Sequence, residues 1–227
     1  MLKHLINLFF PRICAGCTTI LLTNETVICT SCRHNLPLSN HHLLIENEAY
    51  KKFYGRVPVE HASAFLYFHK KGIVQELIHN LKYKGHEDIG ALLGHWYGQD
   101  LKDILKATKP DEIIPVPLHP RKLKERGYNQ VTSFGIALSE ELEINYNSHL
   151  LKRMVYTKTQ SKKNLLGRTE GIENLFDVTF TEKDHGKHFL LIDDVITTGS
   201  TLEACSRALL KIPNAKISIV CMAMAQS

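Results

Sequence analysis

Apolar residues recur at helical spacing in three stretches of the chain. They share one face over residues 73–81, over residues 89–105 and again over residues 131–142. Side chains three and four positions apart lie on the same side of a helix, so this spacing predicts amphipathic helices that each bury one face.

Short continuous apolar runs separate these helical stretches. Residues 62–68, 112–116, 189–192 and 217–222 are such runs, and residues 202–210 between the last two are predicted to be helical. Runs this short are typical of strands in a parallel sheet that is covered on both faces. Strands that alternate with helices predict an α/β domain with a mainly parallel sheet and helices on both faces.

The remaining segments indicate how the chain is organised. Residues 1–40 contain four of the six cysteines and are predicted to form a small separate module. Residues 41–58 lack a clear period, so we predict a linker or partly ordered connection that leads into an α/β domain over residues 59–227. Within that domain, residues 153–175 form a long, polar and basic stretch, which is typical of a flexible excursion.

The composition is that of an ordinary globular protein, with 227 residues of which 44% are hydrophobic and 22% charged. The formal charge of +5 is compatible with a phosphate-rich ligand, with weak nucleic-acid contact or with an ordinary solvated surface. No apolar run reaches the length of a membrane span. The opening stretch MLKHLINLFF holds polar Asn7 and is ended by Pro11 without a small-residue cleavage site, so we predict a short amphipathic helix and a cytoplasmic protein.

Four cysteines stand in the pattern C-x2-C-x11-C-x2-C, at Cys14, Cys17, Cys29 and Cys32. In a reducing compartment, paired C-x-x-C units favour a metal over disulfides. Four thiolates at this spacing are able to close a tetrahedral structural zinc site. A redox pair is the alternative, but the βαβ context typical of redox motifs is absent around these cysteines.

The other two cysteines and the few basic residues near the module add little chemistry. Cys205 falls in a predicted helix and Cys221 in a predicted strand, so both are expected to be small buried hydrophobic residues. Arg12 and Arg33 are the basic residues close to the zinc pattern. Direct contact between the module and DNA is therefore only weakly supported.

The stretch FLLIDDVITTGSTLEAC combines a buried strand, two carboxylates, a glycine turn and a helix. Ligands bind at the carboxyl ends of strands in an open parallel sheet, which is where Asp193 and Asp194 are placed. The turn that follows offers backbone N–H groups, four hydroxyls and a helix N-terminus to a phosphate. Two adjacent carboxylates suit vicinal ribose hydroxyls instead. The predicted phosphate-binding residues are Thr197, Thr198, Gly199, Ser200 and Thr201.

A purely structural explanation exists for part of this stretch. Ser200 and Glu203 fit a capping box, and a strand–turn–helix needs a cap in any case. The cap explains these two residues, but it explains neither the acidic pair nor the threonines. Ligand binding is therefore the preferred interpretation.

The motif IDDVITTGST resembles the phosphoribosyl-pyrophosphate motif of type I phosphoribosyltransferases. The segment IIPVPLHPRKLKERGYNQ, which begins at Ile113, is similar to the hallmark segment of the ComF competence family. Members of that family are amidophosphoribosyltransferase-like proteins with an N-terminal cysteine module. Further matches follow in the family's order at LKYKG from Leu81 and at Thr159-Gln160, Arg168 and Asn174-Leu175-Phe176.

The resemblance implies a type I phosphoribosyltransferase domain with a small N-terminal zinc module of four cysteines, and it assigns roles to residues. Asp193 and Asp194 would hold the ribose hydroxyls, and Mg2+ would bind together with phosphoribosyl pyrophosphate. The implied pyrophosphate-binding residues are Pro117, Leu118, His119, Arg121 and Arg126. A flexible loop that contains Lys158, Gln160 and Arg168 would close over the leaving pyrophosphate.

Two of these assignments, and the match at LKYKG, have ordinary structural alternatives. The basic run that includes Arg121 and Arg126 also fits a solvated face. The residues of the flexible loop also fit an exposed hairpin. Lys82 and Tyr83, in the LKYKG stretch, also fit a basic helix end with a packed aromatic residue.

Three functions remain open. The resemblance implies a transferase-like protein in DNA uptake and transformation, with a helicase or a single-strand-binding protein as a candidate partner. The alternatives are a housekeeping transferase of the orotate type, which has a similar DVITTG stretch but no cysteine module, and a non-catalytic module that senses the ligand and binds a protein or single-stranded DNA. No residue is an obvious general base, so neither the acceptor nor catalytic activity follows from the sequence.

Overall fold

The computed structural model describes residues 10–154 and 175–226, and these residues form seven helices, seven strands and two 3-10 turns. The helices are α1 (Thr30–His34), α2 (Glu48–Lys51), α3 (Ile73–Tyr83), α4 (Glu87–Thr108), α5 (Pro120–Arg126), α6 (Thr132–Leu142) and α7 (Ser200–Leu209). The strands are β1 (His61–Phe68), β2 (Glu112–Pro115), β3 (Asn145–Tyr146), β4 (Leu151–Arg153), β5 (Phe176–Val178), β6 (His188–Ile196) and β7 (Lys216–Ala225). The 3-10 turns span His41–Leu43 and Glu182–Asp184.

Five strands form one parallel sheet in the order β1-β7-β6-β2-β3, with β6 at its centre. The register places Ile113 of β2 opposite Leu190 of β6, and Leu191 of β6 opposite Ile219 of β7. Strands β4 and β5 pair antiparallel as a separate ribbon. The predicted α/β fold with a mainly parallel sheet is therefore confirmed.

Both faces of the sheet are buried, which explains the continuous apolar run of β6. Successive side chains of a strand point to opposite faces. Leu190 and Ile192 accordingly pack with α3, α4 and α6, whereas Phe189 and Leu191 pack with α2, α7 and the β4–β5 ribbon. A strand that is covered on both sides has no face exposed to water, so its sequence does not alternate between apolar and polar residues.

The direction of the chain connections locates a crevice at one end of the sheet. From β2 the chain runs through α5 and α6 to β3, and from β6 it runs through α7 to β7 on the opposite side. Neighbouring strands whose connections leave in opposite directions define a topological switch point. Ligands of open α/β sheets bind there, outside the carboxyl ends of the two strands.

Helices α4 and α6 approach each other closely because α4 carries a glycine at the contact. A Cβ on Gly94 would lie 2.7 Å from the Cβ of Ala137 and 2.7 Å from the carbonyl oxygen of Phe134. Any larger residue would push the helices apart or force a shift of the α6 backbone. This contact fixes the position of α6, and with it the turn that leads into α6 from the crevice.

The cysteine module shares a hydrophobic core with the α/β domain. Ile13 and Ile20 form an antiparallel bridge, and the buried residues of the module belong to the same cluster as the apolar faces of α3 and α4. Asn80 of α3 donates a buried hydrogen bond of 2.7 Å from Nδ2 to the carbonyl oxygen of Ala15. The guanidinium of Arg33 lies 4.9 Å from the centre of the Trp96 ring on α4.

Residues 41–58, which the sequence analysis predicts to be a linker, contain the first 3-10 turn and helix α2. Ala49 and Phe53 of this segment are fully buried against the sheet. The domain boundaries at 40 and 58 stay a prediction, but the segment between them packs on the α/β domain. Within residues 10–154 and 175–226, no helix combines the length and the apolar character that crossing a membrane requires.

Candidate functional site

The acidic pair lies at the carboxyl end of the central strand. Asp194 is buried, and its Oδ2 accepts hydrogen bonds from Nζ of Lys82 at 2.8 Å and from Nε2 of Gln130 at 2.7 Å. Lys82 comes from the last turn of α3, and Gln130 from the turn before α6. An unpaired carboxylate at this depth would be costly, so these two donors satisfy a charge that the strand forces inward.

Asp193 has a different environment from its neighbour. It is partly buried, and its Oδ1 accepts a hydrogen bond of 2.8 Å from the backbone N–H of Asp194. Burial, followed by the negative charge of Asp194, raises the pKa of Asp193 to about 8, although the positive charges of Lys82 and Arg153 act in the opposite direction. Asp193 therefore takes up or releases a proton close to neutral pH, whereas Asp194 is neutralised by Lys82.

The glycine turn follows directly after β6. Gly199 has a φ of +79°, a conformation that glycine adopts without strain, and stands immediately before α7. The hydroxyl oxygens of Thr198 and Ser200 lie 3.0 Å apart, and the Ser200 N–H donates to Oγ1 of Thr198 at 3.4 Å. Thr197, Thr198 and Thr201 are exposed. The first turn of a helix has N–H groups without partners in the helix, so this turn is suited to an anion.

The capping box considered for Ser200 and Glu203 is not present. The residue at the N-cap position of α7 is Gly199, which has no side chain to form a capping box, and the Ser200 hydroxyl lies next to that of Thr198 instead. Glu203 instead forms ion pairs with Arg56 and with Arg207. The prediction of a capping box is therefore wrong, because Glu203 bonds to Arg56, which is distant in sequence, and to Arg207, which lies further along the helix.

The second half of the crevice follows β2. Pro117 and Leu118 form the connection, and His119 caps α5 by accepting a hydrogen bond of 3.1 Å at Nδ1 from the Arg121 N–H. The exposed side chain of Arg121 donates from Nε to Glu125 at 2.9 Å. Arg121 thus lies along the outer surface of α5, where the structure does not bring it to the acidic pair.

Arg126 at the end of α5 is connected to the acidic pair. Its Nη1 donates to Oε1 of Gln130 at 2.6 Å, and Gln130 in turn donates to Asp194. The guanidinium of Arg126 also lies 5.1 Å from the centre of the Tyr83 ring. A cavity of about 230 Å³ opens beside these groups and is lined by Lys82, Tyr83, Gly85, Lys122, Glu125, Arg126 and Tyr128. Its three cations against one carboxylate suit a phosphate-rich ligand.

Sequence reasoning missed two members of this network and underrated a third. Gln130 ends the YNQ of the long hallmark segment, but no local pattern indicates that it bonds to Asp194. Arg56 lies in the predicted linker, where no motif singles it out. Lys82 belongs to LKYKG, and its place in that motif is the feature of the sequence that points to a role in the site. Lys158, Gln160 and Arg168 lie outside the described residues.

The four cysteines of the N-terminal pattern meet in one cluster. Their sulfur atoms all lie within 4.8 Å of one another, and those of Cys17 and Cys29 are 3.6 Å apart. Tetrahedral zinc with bonds of about 2.3 Å places its sulfurs about 3.8 Å apart, so the cluster fits a structural zinc site.

Backbone groups around the cluster favour thiolates as ligands. Sγ of Cys14 accepts from the N–H of Gly16 at 3.4 Å and of Cys29 at 3.2 Å, and Sγ of Cys29 accepts from the N–H of Cys32 at 3.4 Å. Hydrogen bonding with Thr19 lowers the pKa of the Cys17 thiol to about 6. These bonds orient the sulfurs. Burial, in contrast, raises the pKa of the Cys32 thiol, so that sulfur would need a bound cation to stay deprotonated.

The fold, the acidic pair and the glycine turn together define a type I phosphoribosyltransferase domain. Residues 138–227, which include β6, the turn and β7, match the family described as phosphoribosyl transferase domain. The cysteine cluster is an addition to that domain at the N-terminal side.

Three related proteins have names that point to a narrower class of protein. The chain is 34% identical over 122 residues to competence protein F of Haemophilus influenzae, with 53% of each chain covered. It is 31% identical over 152 residues to the DNA utilization protein YhgH of Escherichia coli O157:H7, with 64% of this chain and 65% of the relative covered. It is 28% identical over 144 residues to competence protein ComFC of Bacillus subtilis, with 61% and 54% covered.

The chain therefore spans between half and two thirds of the length of these relatives. Their names, together with the phosphoribosyl transferase domain, confirm the resemblance to the ComF competence family.

We predict that the purified protein carries one zinc ion per chain and that Cys29→Ser abolishes this binding. A small module has little core of its own, and the loss of a thiolate removes the ligand set that closes it. Elemental analysis after chelator-free purification measures the metal, and hydrogen exchange over residues 10–40 measures the loss of order. Cys205→Ala, a buried thiol outside the cluster, is the control and should keep its zinc. Wild-type protein without zinc would contradict the prediction.

We predict that Asp193→Asn flattens the pH dependence of stability. The pKa of Asp193 is about 8 in the folded chain and about 4 in an unfolded one, so the folded state holds a proton that the unfolded state releases. This contribution lowers the free energy of unfolding as the pH rises from about 4 to about 8. Asparagine keeps the oxygen that accepts the Asp194 N–H.

Urea unfolding between pH 5 and pH 9 tests this sign. The variant should gain stability relative to the wild type as the pH rises, up to about pH 8, and the difference should then level off. Asp103→Asn, which changes an exposed carboxylate on α4, should show no such rise. Parallel curves for wild type and Asp193→Asn would show that Asp193 ionises normally.

Proposed function

We propose that the chain binds phosphoribosyl pyrophosphate in the crevice between β2 and β6 and acts as a phosphoribosyltransferase-like protein in DNA uptake. One observation carries the binding proposal. The acidic pair and the exposed glycine turn follow the same central strand at the switch point of the sheet, so acceptors for a sugar stand directly beside donors for a phosphate.

The two ends of the crevice suit the two ends of this ligand. The turn at Thr197–Thr201 offers hydroxyls and helix N–H groups to the 5-phosphate. Asp193 precedes the turn on the same central strand, and its role in this proposal is to accept hydrogen bonds from ribose hydroxyls. Arg126, Lys122 and Lys82 then receive the pyrophosphate, for which a guanidinium provides paired charge-assisted hydrogen bonds.

Magnesium enters this proposal as a partner of the pyrophosphate. Mg2+ prefers carboxylate and phosphate oxygens. Asp194 is paired with Lys82, whereas Asp193 forms no ion pair within the described residues, so Asp193 is the carboxylate that we assign to the metal. The ion would neutralise charge on the leaving pyrophosphate. Ordinary positioning of the sugar and the leaving group would supply the rest of any catalysis.

We expect wild-type protein to bind phosphoribosyl pyrophosphate in the presence of Mg2+ and the double variant Asp193→Asn/Asp194→Asn to bind it at least tenfold more weakly, a loss of about 1.4 kcal/mol or more. The two amides lose charge next to the metal and replace acceptors of ribose hydroxyls with mixed donors and acceptors. Titration calorimetry measures both dissociation constants.

The matched control for this titration is Asp103→Asn/Asp177→Asn. It removes two exposed carboxylates from α4 and β5, so it changes the net charge equally without touching the crevice. The control should bind like the wild type. No saturable binding by wild-type protein at millimolar ligand would refute the proposed site.

The role in DNA uptake rests on the relatives named for competence and DNA utilization. A helicase or a single-strand-binding protein is the partner that we propose for such a role. The housekeeping alternative, a transferase of the orotate type, and a non-catalytic sensor differ from it in measurable ways. Release of pyrophosphate with a candidate acceptor would identify a transferase, and binding without turnover would favour the sensor.

In a naturally transformable host, we expect deletion of the gene to lower transformation while nucleotide prototrophy is kept. An allele with Asp193→Asn and Asp194→Asn should reproduce the effect of the deletion at a normal protein level, because the two substitutions remove the ligand site and leave the fold intact. The allele with Asp103→Asn and Asp177→Asn should transform normally. Nucleotide auxotrophy with unchanged transformation would favour the housekeeping alternative.

A further inference from the structure

Residues 47–57, which we call the clasp, are anchored to the edge of the sheet. Nδ2 of Asn47 donates to the carbonyl oxygens of Ala62 on β1 at 2.8 Å, of Leu44 at 3.0 Å and of His41 at 3.1 Å. Oδ1 of Asn47 accepts the Tyr50 N–H at 2.9 Å and so starts α2. Asn47 is itself buried, so the clasp is built on a rigid base.

The clasp touches the phosphate-binding turn at two points. The ring of Phe53, which is fully buried, lies against Gly199, where an added Cβ would stand 3.2 Å from the nearest ring carbon. Nη1 of Arg56 donates to the carbonyl oxygen of Thr198 at 2.9 Å and to that of Lys52 at 3.0 Å. The clasp therefore holds the turn through one apolar and one polar contact.

Arg56 is in turn held in place by α7. Its Nη2 donates to the carboxylate of Glu203, and Nη2 of Arg207 donates to the Arg56 carbonyl oxygen at 3.0 Å. Arg207 also donates to Glu203 from Nε at 3.2 Å and from Nη2 at 2.9 Å. Burial opposes ionisation of Glu203, but Arg207 and Arg56 outweigh it and lower its pKa. The carboxylate thus stays charged and fixes the plane of the guanidinium.

The bond to Thr198 determines the direction of a neighbouring donor. The carbonyl of Thr198 and the N–H of Gly199 belong to one planar trans peptide group, so they point in opposite directions. A carbonyl that points back to Arg56 leaves the Gly199 N–H pointing away from the clasp. The threonines of this turn, Thr197, Thr198 and Thr201, are exposed to solvent.

We propose that Arg56 is a positioning residue for the 5-phosphate: by holding the Thr198 carbonyl, it orients the backbone N–H groups of the turn toward the phosphate. The ligand half of this inference rests on the proposed function, whereas the ordering of the turn does not. Arginine is required because its planar fork serves Lys52, Thr198 and Glu203 together. A lysine, with one charged nitrogen, is not able to keep this geometry.

The test compares Arg56→Gln and Arg56→Lys with Arg207→Gln. Arg207 belongs to the same ion-pair network but donates to Glu203 and to the Arg56 carbonyl rather than to the turn. Hydrogen exchange of a peptide that covers residues 197–201 should be at least several-fold faster in both Arg56 variants and clearly less affected in Arg207→Gln, because only the former lose the bond to the turn.

Ligand fragments give a second measurement that a general loss of stability would not reproduce. Ribose 5-phosphate probes the turn, and inorganic pyrophosphate with Mg2+ probes the cation-lined cavity. The Arg56 variants should bind ribose 5-phosphate about tenfold more weakly, as expected for the loss of a charge-assisted hydrogen bond. They should bind pyrophosphate like the wild type.

The outcomes separate this inference from the proposed function. Unchanged exchange in both Arg56 variants would overturn the inference, even if Asp193→Asn/Asp194→Asn no longer binds phosphoribosyl pyrophosphate. An equal loss of affinity for both fragments with a lowered melting temperature would overturn it as well, because that pattern is general destabilisation. If wild-type protein binds no phosphoribosyl pyrophosphate, the proposed function fails, and the exchange measurement still decides whether Arg56 holds the turn.

Discussion

The buried carboxylate of Asp194 is the constraint around which the site is arranged. The central strand β6 is covered on both faces, so a charged residue near its end points into the protein rather than into water. An uncompensated charge there would be strongly destabilising, and two donors from separate elements prevent this. Lys82 brings the end of α3 to the crevice, and Gln130 brings the turn before α6 and, through it, Arg126. One buried charge thereby assembles three parts of the site.

Two of the elements that reach the crevice, α3 and the glycine turn, are bonded to the N-terminal quarter of the chain. Helix α3 carries Lys82 at its end and Asn80 two residues earlier, and Asn80 bonds to the backbone between two of the cysteines. The glycine turn is held by the clasp through Arg56. The cysteine module and the segment after it therefore act as a support for the ligand site, which explains in physical terms why they share a core with the α/β domain.

The long elements were predictable because their apolar periods repeat over many residues, as in α4, or because both faces of a strand are buried, as in β6. Strands β3, β4 and β5 have two or three residues each, too few for a period to appear. At the site, Asp193, Asp194 and the turn are adjacent in sequence and form a motif. Arg56 is bound to Glu203, 147 residues away, and Gln130 to Asp194, 64 residues away. Such contacts are products of the fold, so local patterns do not reveal them.

The charge state of the acidic pair resolves an apparent conflict in the site. Two carboxylates beside a crevice for a phosphate-rich ligand would repel that ligand if both were fully charged. Lys82 neutralises Asp194, and a pKa of about 8 leaves Asp193 largely protonated at neutral pH. The remaining potential is set by the N-terminus of α7, by Arg126 and by Lys122, all of which attract phosphate. Burial of the pair therefore allows two acceptors of sugar hydroxyls to lie next to a phosphate site with little repulsion of the phosphate. The second carboxyl of the pair becomes charged only when a ligand or its cation compensates that charge.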